Sequence, residues 1–148
     1  IPSMQATHAT SDKNMAVDRI GDVRIQGAYA WRKLMDAGAL IANGSDFPVE
    51  SPNPFFGLHA SITRQDKDNG PVGGWYPEER MTDSEAFASF TLDAAYSGFQ
   101  ESLLGSLEPG KKADFIVLDR DIFAIPDSEI WQAKALETWV NGSQVHGN

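Results

Sequence analysis

Apolar residues in the first third of the chain recur mostly at helical spacing and then give way to one short continuous run. The helical positions lie between residues 22 and 37 and are Val23, Ile25, Ala28, Tyr29, Trp31, Leu34 and Met35. Gly38 follows directly and is typical of a helix end, while the apolar run at residues 39–43 predicts a buried strand. A helix, a tight turn and a strand in this order indicate an α/β fold.

A capping box predicts a second helix in the middle of the chain. Thr82 and Glu85 have the spacing at which a hydroxyl and a carboxylate satisfy each other's backbone N–H groups. The helix is expected to run over residues 83–96 and to end at Gly98. Its predicted buried side chains are Ala86, Phe87, Phe90, Ala94 and Ala95.

The segments around these two helices have weaker patterns. Residues 1–7 predict a short strand, and residues 9–21 predict a loop or a short helix. Residues 51–81 contain several prolines and glycines and predict a long loop with a helix over residues 58–65. Loops of this length in compact domains are usually functional lids or insertions.

After residue 104 the pattern changes to short strands joined by tight turns. Residues 114–118 and 137–140 predict strands, and residues 128–135 predict one or two helical turns between them. Asn141-Gly142 predicts a hairpin turn with residues 144–146 as the return strand. The chain therefore divides into an α/β segment, residues 1–104, and a β segment, residues 105–148.

Composition restricts the partners more than it restricts the fold. The chain has 148 residues, of which 41% are hydrophobic, so it can bury a core as one domain or two partial ones. Its net charge of −9 disfavours nucleic acid as a partner. The absence of cysteine excludes disulfides and thiolate metal sites. No apolar run approaches the roughly 18 residues that span a bilayer, so no membrane partner is expected.

The beginning of the chain gives two further expectations. Ile1-Pro2-Ser3-Met4 lacks the charged-then-apolar layout of a signal peptide, which favours a cytoplasmic location. The first residue is not methionine, which indicates a piece cut from a longer protein.

Asp46 is the main candidate for chemistry, because it follows the predicted strand at residues 39–43. A charge near the end of a buried strand is costly, and α/β enzymes place their chemistry at such strand ends. The alternative is a turn residue, since aspartate two positions before proline is a common turn opener. Local spacing alone leaves both interpretations open.

Other common site motifs are absent or weak. His8, His59 and His146 are too far apart in sequence to form a local metal chelate. Neither a phosphate-binding glycine loop nor a Gly-x-Ser-x-Gly elbow is present. Trp31 is expected to pack in a helix, and Trp75 is expected to anchor its own loop.

Several short segments form a recognisable pattern when they are taken in order. They are Gln5 to His8, Asp12, Gly27 to Arg32, Gly38-Ala39, Gly44 to Glu50, Asn53-Pro54, Thr63-Arg64, Thr82 to Ala86, Thr91 to Tyr96, Gly105 to Asp121 and Thr138 to Val145. The combination covers nearly the whole chain and is more specific than any single piece. It resembles the C-terminal part of the amidohydrolase superfamily, and in particular the family 3 group that includes N-substituted formamide deformylases.

The resemblance implies the C-terminal portion of a (β/α)₈ TIM barrel followed by strands of a β-sandwich domain. Residues 1–8 would form the seventh barrel strand, residues 22–37 the seventh helix and residues 39–43 the eighth strand. Residues 83–97 would form a helix that closes the barrel. Residues 105–148 would supply the C-terminal strands of the sandwich.

The resemblance also implies roles for two residues. Asp46 corresponds to the aspartate at the end of the eighth strand, which contacts the metal and carries the proton. His8 corresponds to a histidine at the seventh strand and is expected to bind substrate rather than metal. We expect Asp12 to orient His8.

Most of the family's metal ligands lie on strands that this sequence does not contain. The resemblance therefore implies a divalent metal, expected to be zinc, in the full-length enzyme and none in this chain alone. The implied substrate is a small-molecule amide or N-acyl compound, hydrolysed at a C–N bond by the full-length enzyme, and the chain alone is expected to be inactive. Alone, it is expected to self-associate or to need the missing N-terminal part. The alternative is a non-catalytic structural or interaction module derived from the same half.

Overall fold

A computed structural model of the chain describes residues 1–147 as a mixed α/β structure with two small sheets. Short 3₁₀ turns lie at Ile25–Gly27, Pro77–Glu79 and Asp127–Gln132. The main elements in chain order are β1 (Ser3–Met4), α1 (Ala6–Asp12), α2 (Ala16–Arg24), α3 (Trp31–Asp36), β2 (Ala42–Asn43), α4 (Pro54–Thr63), α5 (Asp83–Phe90), α6 (Leu92–Ser97), β3 (Phe115–Leu118), β4 (Ala135–Val140) and β5 (Ser143–His146).

The first sheet consists of β1 and β2, which pair in parallel. Ser3 lies opposite Ala42, and Met4 lies opposite Asn43. A parallel pair needs a crossover connection, and α1, α2 and α3 provide it. Both strands therefore end on the same side of the sheet, and the residues that follow them are brought together.

Helix α4 forms the centre of the core because nearly all of its residues are buried. The Asn53 side chain caps its start by accepting a hydrogen bond from the Phe55 N–H at 3.0 Å, and Pro54 occupies the first turn, where no N–H is needed. The helix ends at Arg64, which adopts a left-handed conformation with φ of 60°. The prediction of a helix over residues 58–65 is confirmed, with a start four residues earlier.

The core joins residues from both predicted segments of the chain. Its buried members come from α1, α3, α4 and α5, from the turn at Asp127–Gln132 and from connecting segments, and α4 packs closely against that turn. The buried apolar residues of this cluster are Ala6, Ala9, Trp31, Ile41, Phe55, Leu58, Ala60, Ile62, Met81, Ala86, Ile122, Ile130 and Ala133.

The capping box at the start of α5 is confirmed. Thr82 Oγ1 accepts a hydrogen bond from the Glu85 N–H at 3.3 Å, and the Glu85 carboxylate accepts one from the Thr82 N–H at 2.8 Å. Helix α3 begins differently, because a distant residue takes the place of a cap. Buried Glu79 accepts hydrogen bonds from the backbone N–H groups of Arg32 and Lys33 and pairs with the Lys33 ammonium.

The second sheet has the antiparallel order β3-β4-β5, as the sequence predicts for residues 114–146. Asn141 and Gly142 both have positive φ, at 52° and 76°, which is the conformation of the tight turns that match strand twist. The predicted helical turns are found as the 3₁₀ turn at Asp127–Gln132.

The prediction of one helix over residues 22–37 is wrong. Helix α2 ends at Arg24, and α3 begins only at Trp31. Between them Tyr29 has a φ of 53°, which a continuous helix cannot contain. Of the predicted apolar positions, Ile25 and Trp31 are buried, whereas Val23 and Leu34 are exposed.

The predicted helix over residues 83–96 is interrupted at Thr91, where φ is −125° and ψ is −89°. The Thr91 hydroxyl donates to the Phe87 carbonyl at 2.8 Å, a local bond that competes with helix continuation. Ala86 is buried as predicted, whereas Phe87 is exposed, contrary to the prediction.

The two strands predicted for the first sheet are right in place but too long. Residues 1–7 and 39–43 contribute only Ser3–Met4 and Ala42–Asn43 to the sheet, and residues 9–21 are mostly helical. His8 accordingly lies in α1, not on a strand that extends over residues 1–8. Within residues 1–147, no helix has both the length and the apolar character needed to cross a membrane.

Candidate functional site

His8 and Asp46 face each other beyond the paired ends of β1 and β2. His8 Nε2 lies 3.9 Å from Asp46 Oδ2, which is longer than a hydrogen bond. The Nε2 atom is buried and has no hydrogen-bond partner among the described residues. The fold thus brings together the two residues that the sequence selects as a candidate site, with an unpaired nitrogen directed at a carboxylate.

Asn43 fixes the distance between the two segments that carry His8 and Asp46. Its Oδ1 atom accepts hydrogen bonds from the backbone N–H groups of Ala6 at 3.2 Å and Gly44 at 3.0 Å. Its Nδ2 atom donates to Ser61 Oγ at 3.1 Å. One side chain therefore links the start of α1, the end of β2 and the middle of α4.

Asp46 is held by its backbone rather than by burial of its side chain. Its φ of 54° is left-handed, and its carbonyl accepts the Val49 N–H at 2.8 Å, which closes a turn over residues 46–49. The side chain is 57% exposed, although Ile41 and Ala42 before it are buried. The expectation of a costly charge at a buried strand end is therefore wrong for the side chain in this chain.

Asp12 and His8 make no direct hydrogen bond within residues 1–147, so any effect of Asp12 on His8 passes through helix α1. The two residues lie one turn apart on α1, but the Asp12 carboxylate accepts a hydrogen bond from the Tyr29 hydroxyl. Burial of the Tyr29 ring, together with this bond to Asp12, raises the pKa of Tyr29 to about 12. Tyr29 therefore remains a hydrogen-bond donor at neutral pH.

Arg64 contacts the Tyr29 backbone and is buried, which is unusual for an arginine. Its side chain is 1% exposed, and its guanidinium stacks on Trp31, with its carbon 4.1 Å from the ring centroid. The guanidinium donates to the carbonyls of Tyr29 at 3.0 Å and Trp75 at 2.8 Å. Burial lowers the pKa of Arg64 to about 10, so the group remains cationic near pH 7.

A second anchor holds the end of α1. Lys13 Nζ forms an ion pair with Asp66 Oδ2 at 2.6 Å. Burial raises the pKa of Asp66, but the hydrogen bonds from Lys13 and from the Gly70 and Asp68 N–H groups outweigh it, so the pKa lies below its ordinary value. The start of the long loop is thereby fastened to α1.

His59 and Trp75, which the sequence analysis also considered, make contacts that hold the fold together. Buried His59 has its ring nitrogens 3.0 Å from the Asp127 and Asp66 carbonyl oxygens. Trp75 packs on Tyr29 with 5.6 Å between the ring centroids and on Tyr76 with 4.9 Å. The prediction that Trp75 anchors its own loop is confirmed.

The donor set in this chain fits one position of a divalent-metal site. A carboxylate oxygen such as Asp46 Oδ2 is a suitable ligand for a divalent ion, and its exposure leaves it accessible. Residues 1–147 contain no group of three histidine, cysteine, aspartate or glutamate side chains placed to hold such an ion. Asp46 can therefore act only as one ligand of a set that other residues complete.

The sequence patterns did not select three residues that organise this site. Asn43 ends a predicted strand, and Tyr29 and Arg64 lie within predicted helices. A possible signal was the helix-breaking position of Tyr29 beside Gly27. The partners of all three lie 11 to 37 residues away, which local spacing does not show.

These features define a mixed α/β protein whose candidate site lies at the ends of parallel strands. A sequence model of the amidohydrolase family matches residues 1–146. The chain belongs to the amidohydrolase family.

Three relatives illustrate the range of similarity. The chain is 31% identical over 147 residues to Protein LONG AFTER FAR-RED 3 of Arabidopsis thaliana, covering 99% of this chain and 25% of the relative. It is 32% identical over 145 residues to the putative amidohydrolase YtcJ of Bacillus subtilis, covering 97% and 27%. It is 31% identical over 111 residues to the N-substituted formamide deformylase of Arthrobacter pascens, covering 75% and 20%.

A solved structure agrees with this assignment. An uncharacterized metal-dependent hydrolase from Pyrococcus horikoshii OT3 superimposes with a TM-score of 0.73 at 27% identity, covering 84% of this chain and 25% of that one. The chain thus spans about a quarter of the length of the proteins it matches.

Proposed function

We propose that this chain forms the Asp46 side of the active site in a metal-dependent amidohydrolase that hydrolyses a C–N bond in a small amide or N-acyl compound. The chain would contribute the last strands of a (β/α)₈ barrel and part of a β-sandwich. The observation that carries the proposal is the position of Asp46 at the end of β2, 3.9 Å from His8 Nε2. Membership in the amidohydrolase family supports the reaction class.

Asp46 is proposed to carry the proton in this reaction. A bound divalent ion, proposed to be zinc, would act as a Lewis acid and lower the pKa of water, so that hydroxide is available at neutral pH. The Asp46 carboxylate accepts the proton of the attacking water and returns it to the leaving nitrogen. The 57% exposure of Asp46 in this chain leaves room for that water and for the substrate.

His8 is proposed to bind substrate across from Asp46. Its Nε2 atom is buried and unpaired, so a polar substrate group placed between the two side chains would satisfy it. The 3.9 Å separation shows that His8 and Asp46 do not satisfy each other. The named activity of the Arthrobacter pascens relative supports an N-substituted amide as the substrate class.

Replacing Asp46 with Asn in the longer protein that includes these residues tests the proposal. The amide is nearly isosteric but cannot accept a proton, so kcat is expected to fall by at least about 10²-fold, as for loss of a general base. Hydrolysis of N-substituted formamides, followed as amine release, measures the effect. The matched control is Asp22→Asn at an exposed carboxylate, which should retain activity.

Near-normal turnover by Asp46→Asn would contradict the proton-carrying role. A longer protein that hydrolyses no amide and binds no divalent ion would instead support a non-catalytic module. Thermal melting of both variants checks that the fold is retained.

A further inference from the structure

Helix α1 presents His8 to Asp46 but has little stability of its own. It has seven residues and no side-chain cap at its start, and an isolated helix of this length is not stable in water. Its orientation must therefore come from tertiary contacts. The contacts that fix its far end lie one turn from His8, at Asp12 and Lys13.

Tyr29 supplies one of these contacts at a conformational cost. Its hydroxyl donates to Asp12, while its backbone has a φ of 53°, a left-handed value that bulky residues rarely adopt. Such a conformation persists only when surrounding contacts enforce it. The enforcing contact on the backbone is the hydrogen bond from Arg64 Nη1 to the Tyr29 carbonyl.

Making that contact with Arg64 costs free energy, because a charged group must be buried. Its guanidinium is buried and has no carboxylate within ion-pair distance among residues 1–147, and its Nη2 atom has no hydrogen-bond partner there. Burial lowers the pKa of Arg64 and outweighs the groups that favour the charged form. These groups are the faces of Trp31 and Trp75 and the carboxylates of Glu79 and Glu78. Because burying this charge costs free energy, a role in fixing geometry is the better account of Arg64.

We infer that Arg64, Tyr29 and Asp12 form a positioning relay that holds α1 so that His8 Nε2 faces Asp46. Arg64, which follows α4, donates a hydrogen bond to the Tyr29 carbonyl. The Tyr29 hydroxyl donates to the Asp12 carboxylate, which lies one helical turn from His8. None of the relay's three members is expected to touch substrate. The inference rests on the proposed function, because it assigns the relay to substrate binding through His8.

Kinetics of Tyr29→Phe in the longer protein test the relay, with Tyr96→Phe as the matched control. Tyr96 is partly exposed and its hydroxyl makes no hydrogen bond within residues 1–147. Loss of a hydrogen bond to a charged group is expected to raise KM about tenfold in Tyr29→Phe. The value of kcat is expected to stay within about twofold, because Asp46 is untouched. Tyr96→Phe is expected to match the unmodified protein.

A double variant separates positioning from general loss of stability. If Tyr29 acts through His8, then Tyr29→Phe should change KM by less than about twofold in a His8→Gln background, because coupled residues are not additive. Asp12→Asn retains an oxygen that accepts the Tyr29 hydroxyl and should preserve most of the affinity, whereas Asp12→Leu should not. A full tenfold effect of Tyr29→Phe in the His8→Gln background would overturn the relay.

A readout without substrate distinguishes failure of the relay from failure of the proposed function. Hydrogen exchange of the α1 backbone amides is expected to become about tenfold faster in Tyr29→Phe, with exchange in α5 unchanged. Unchanged exchange in α1 would overturn the relay even in an active enzyme. Faster exchange in a protein without amidase activity would support the relay's hold on α1 and reject the proposed function.

Discussion

Gly57 shows how the absence of a side chain determines the packing of two helices. A Cβ atom placed on it would lie 2.4 Å from the Phe90 Cζ atom, so the ring of α5 rests directly on the backbone of α4. Its backbone conformation is ordinary for any residue, and the requirement is therefore one of space. Small-to-large substitutions at such contacts are destabilising.

Gly57→Ala is expected to reduce the free energy of unfolding by about 1–3 kcal/mol, because Phe90 must move or leave its rotamer. Urea unfolding measures the loss. Gly27→Ala is the control, since a Cβ atom there meets nothing within 4 Å. Adding Phe90→Leu should restore part of the stability, and an equal loss in both alanine variants would contradict the packing explanation.

At the scale of single residues, the sequence selected the two candidate site residues but not the residues that hold them in place. Asp46 and His8 were selected by strand-end position and by resemblance, and the fold places them 3.9 Å apart. Asn43, Tyr29 and Arg64 could not be selected, because their roles depend on partners that are distant in sequence. The exposure of Asp46 was also missed, since it depends on how the turn at residues 46–49 closes.

Among the secondary-structure elements, α5 depends on its cap and on a link to α3. The Arg32 guanidinium binds the Glu85 carboxylate and, together with the Thr82 N–H, lowers the pKa of Glu85 from 4.5 to about 2. The folded protein therefore holds this carboxylate ionised at pH values where the unfolded chain is protonated. Its contribution is fully present above pH 4.5 and is lost as the pH falls toward 2.

Glu85→Gln should therefore be less stable than the unmodified protein at pH 7, by roughly 1–2 kcal/mol given the partial solvent exposure. The difference should shrink steadily below pH 4.5. Urea unfolding at several pH values between 3 and 7 measures it, with Asp22→Asn at an exposed carboxylate as the control. A difference that does not change with pH would show that the cap works without the charge.

The sequence predicted the caps and turns that depend on adjacent residues. It did not predict the helix break at Tyr29, which depends on residues distant in sequence. The capping box, the Asn141-Gly142 turn and the end of α3 at Gly38 follow from a few adjacent residues. The interruption at Tyr29 comes from contacts with Arg64 and Asp12, which override the helical spacing around it. Helical spacing therefore identified Ile25 and Trp31 as buried but misplaced the exposed Val23 and Leu34, and it wrongly predicted a continuous helix.

For the whole molecule, the uncovered apolar surface is the main feature. Along the second sheet, Ile116, Val140 and Val145 are 44%, 48% and 62% exposed. A groove of about 420 Å³ separates this sheet from the start of α4 and is lined mainly by Phe55, Ile116, Ala133 and Ala135. The edges of both small sheets also present backbone groups that a further strand could pair with.

Residues 1–148 expressed alone are therefore expected to self-associate. Equilibrium sedimentation should give a mass above 16.2 kDa that rises with concentration. Ile116→Lys combined with Val140→Lys should reduce the association, because charge on a strand opposes further pairing. A monomer at all concentrations with a cooperative thermal transition would show that this surface is stable without a partner.

The hydrogen bonds of the Asn43 side chain can form only in a fixed order as the chain is translated. The partners Ala6 and Ser61 lie 37 residues before Asn43 and 18 residues after it. At roughly 5–20 residues per second, about 3 to 11 s pass between translation of the first partner and the last. Until Ser61 has been made, the bonds from Ala6 and Gly44 to Asn43 lack their anchor on α4. The nascent chain can complete this set of bonds well before the final hairpin has been translated.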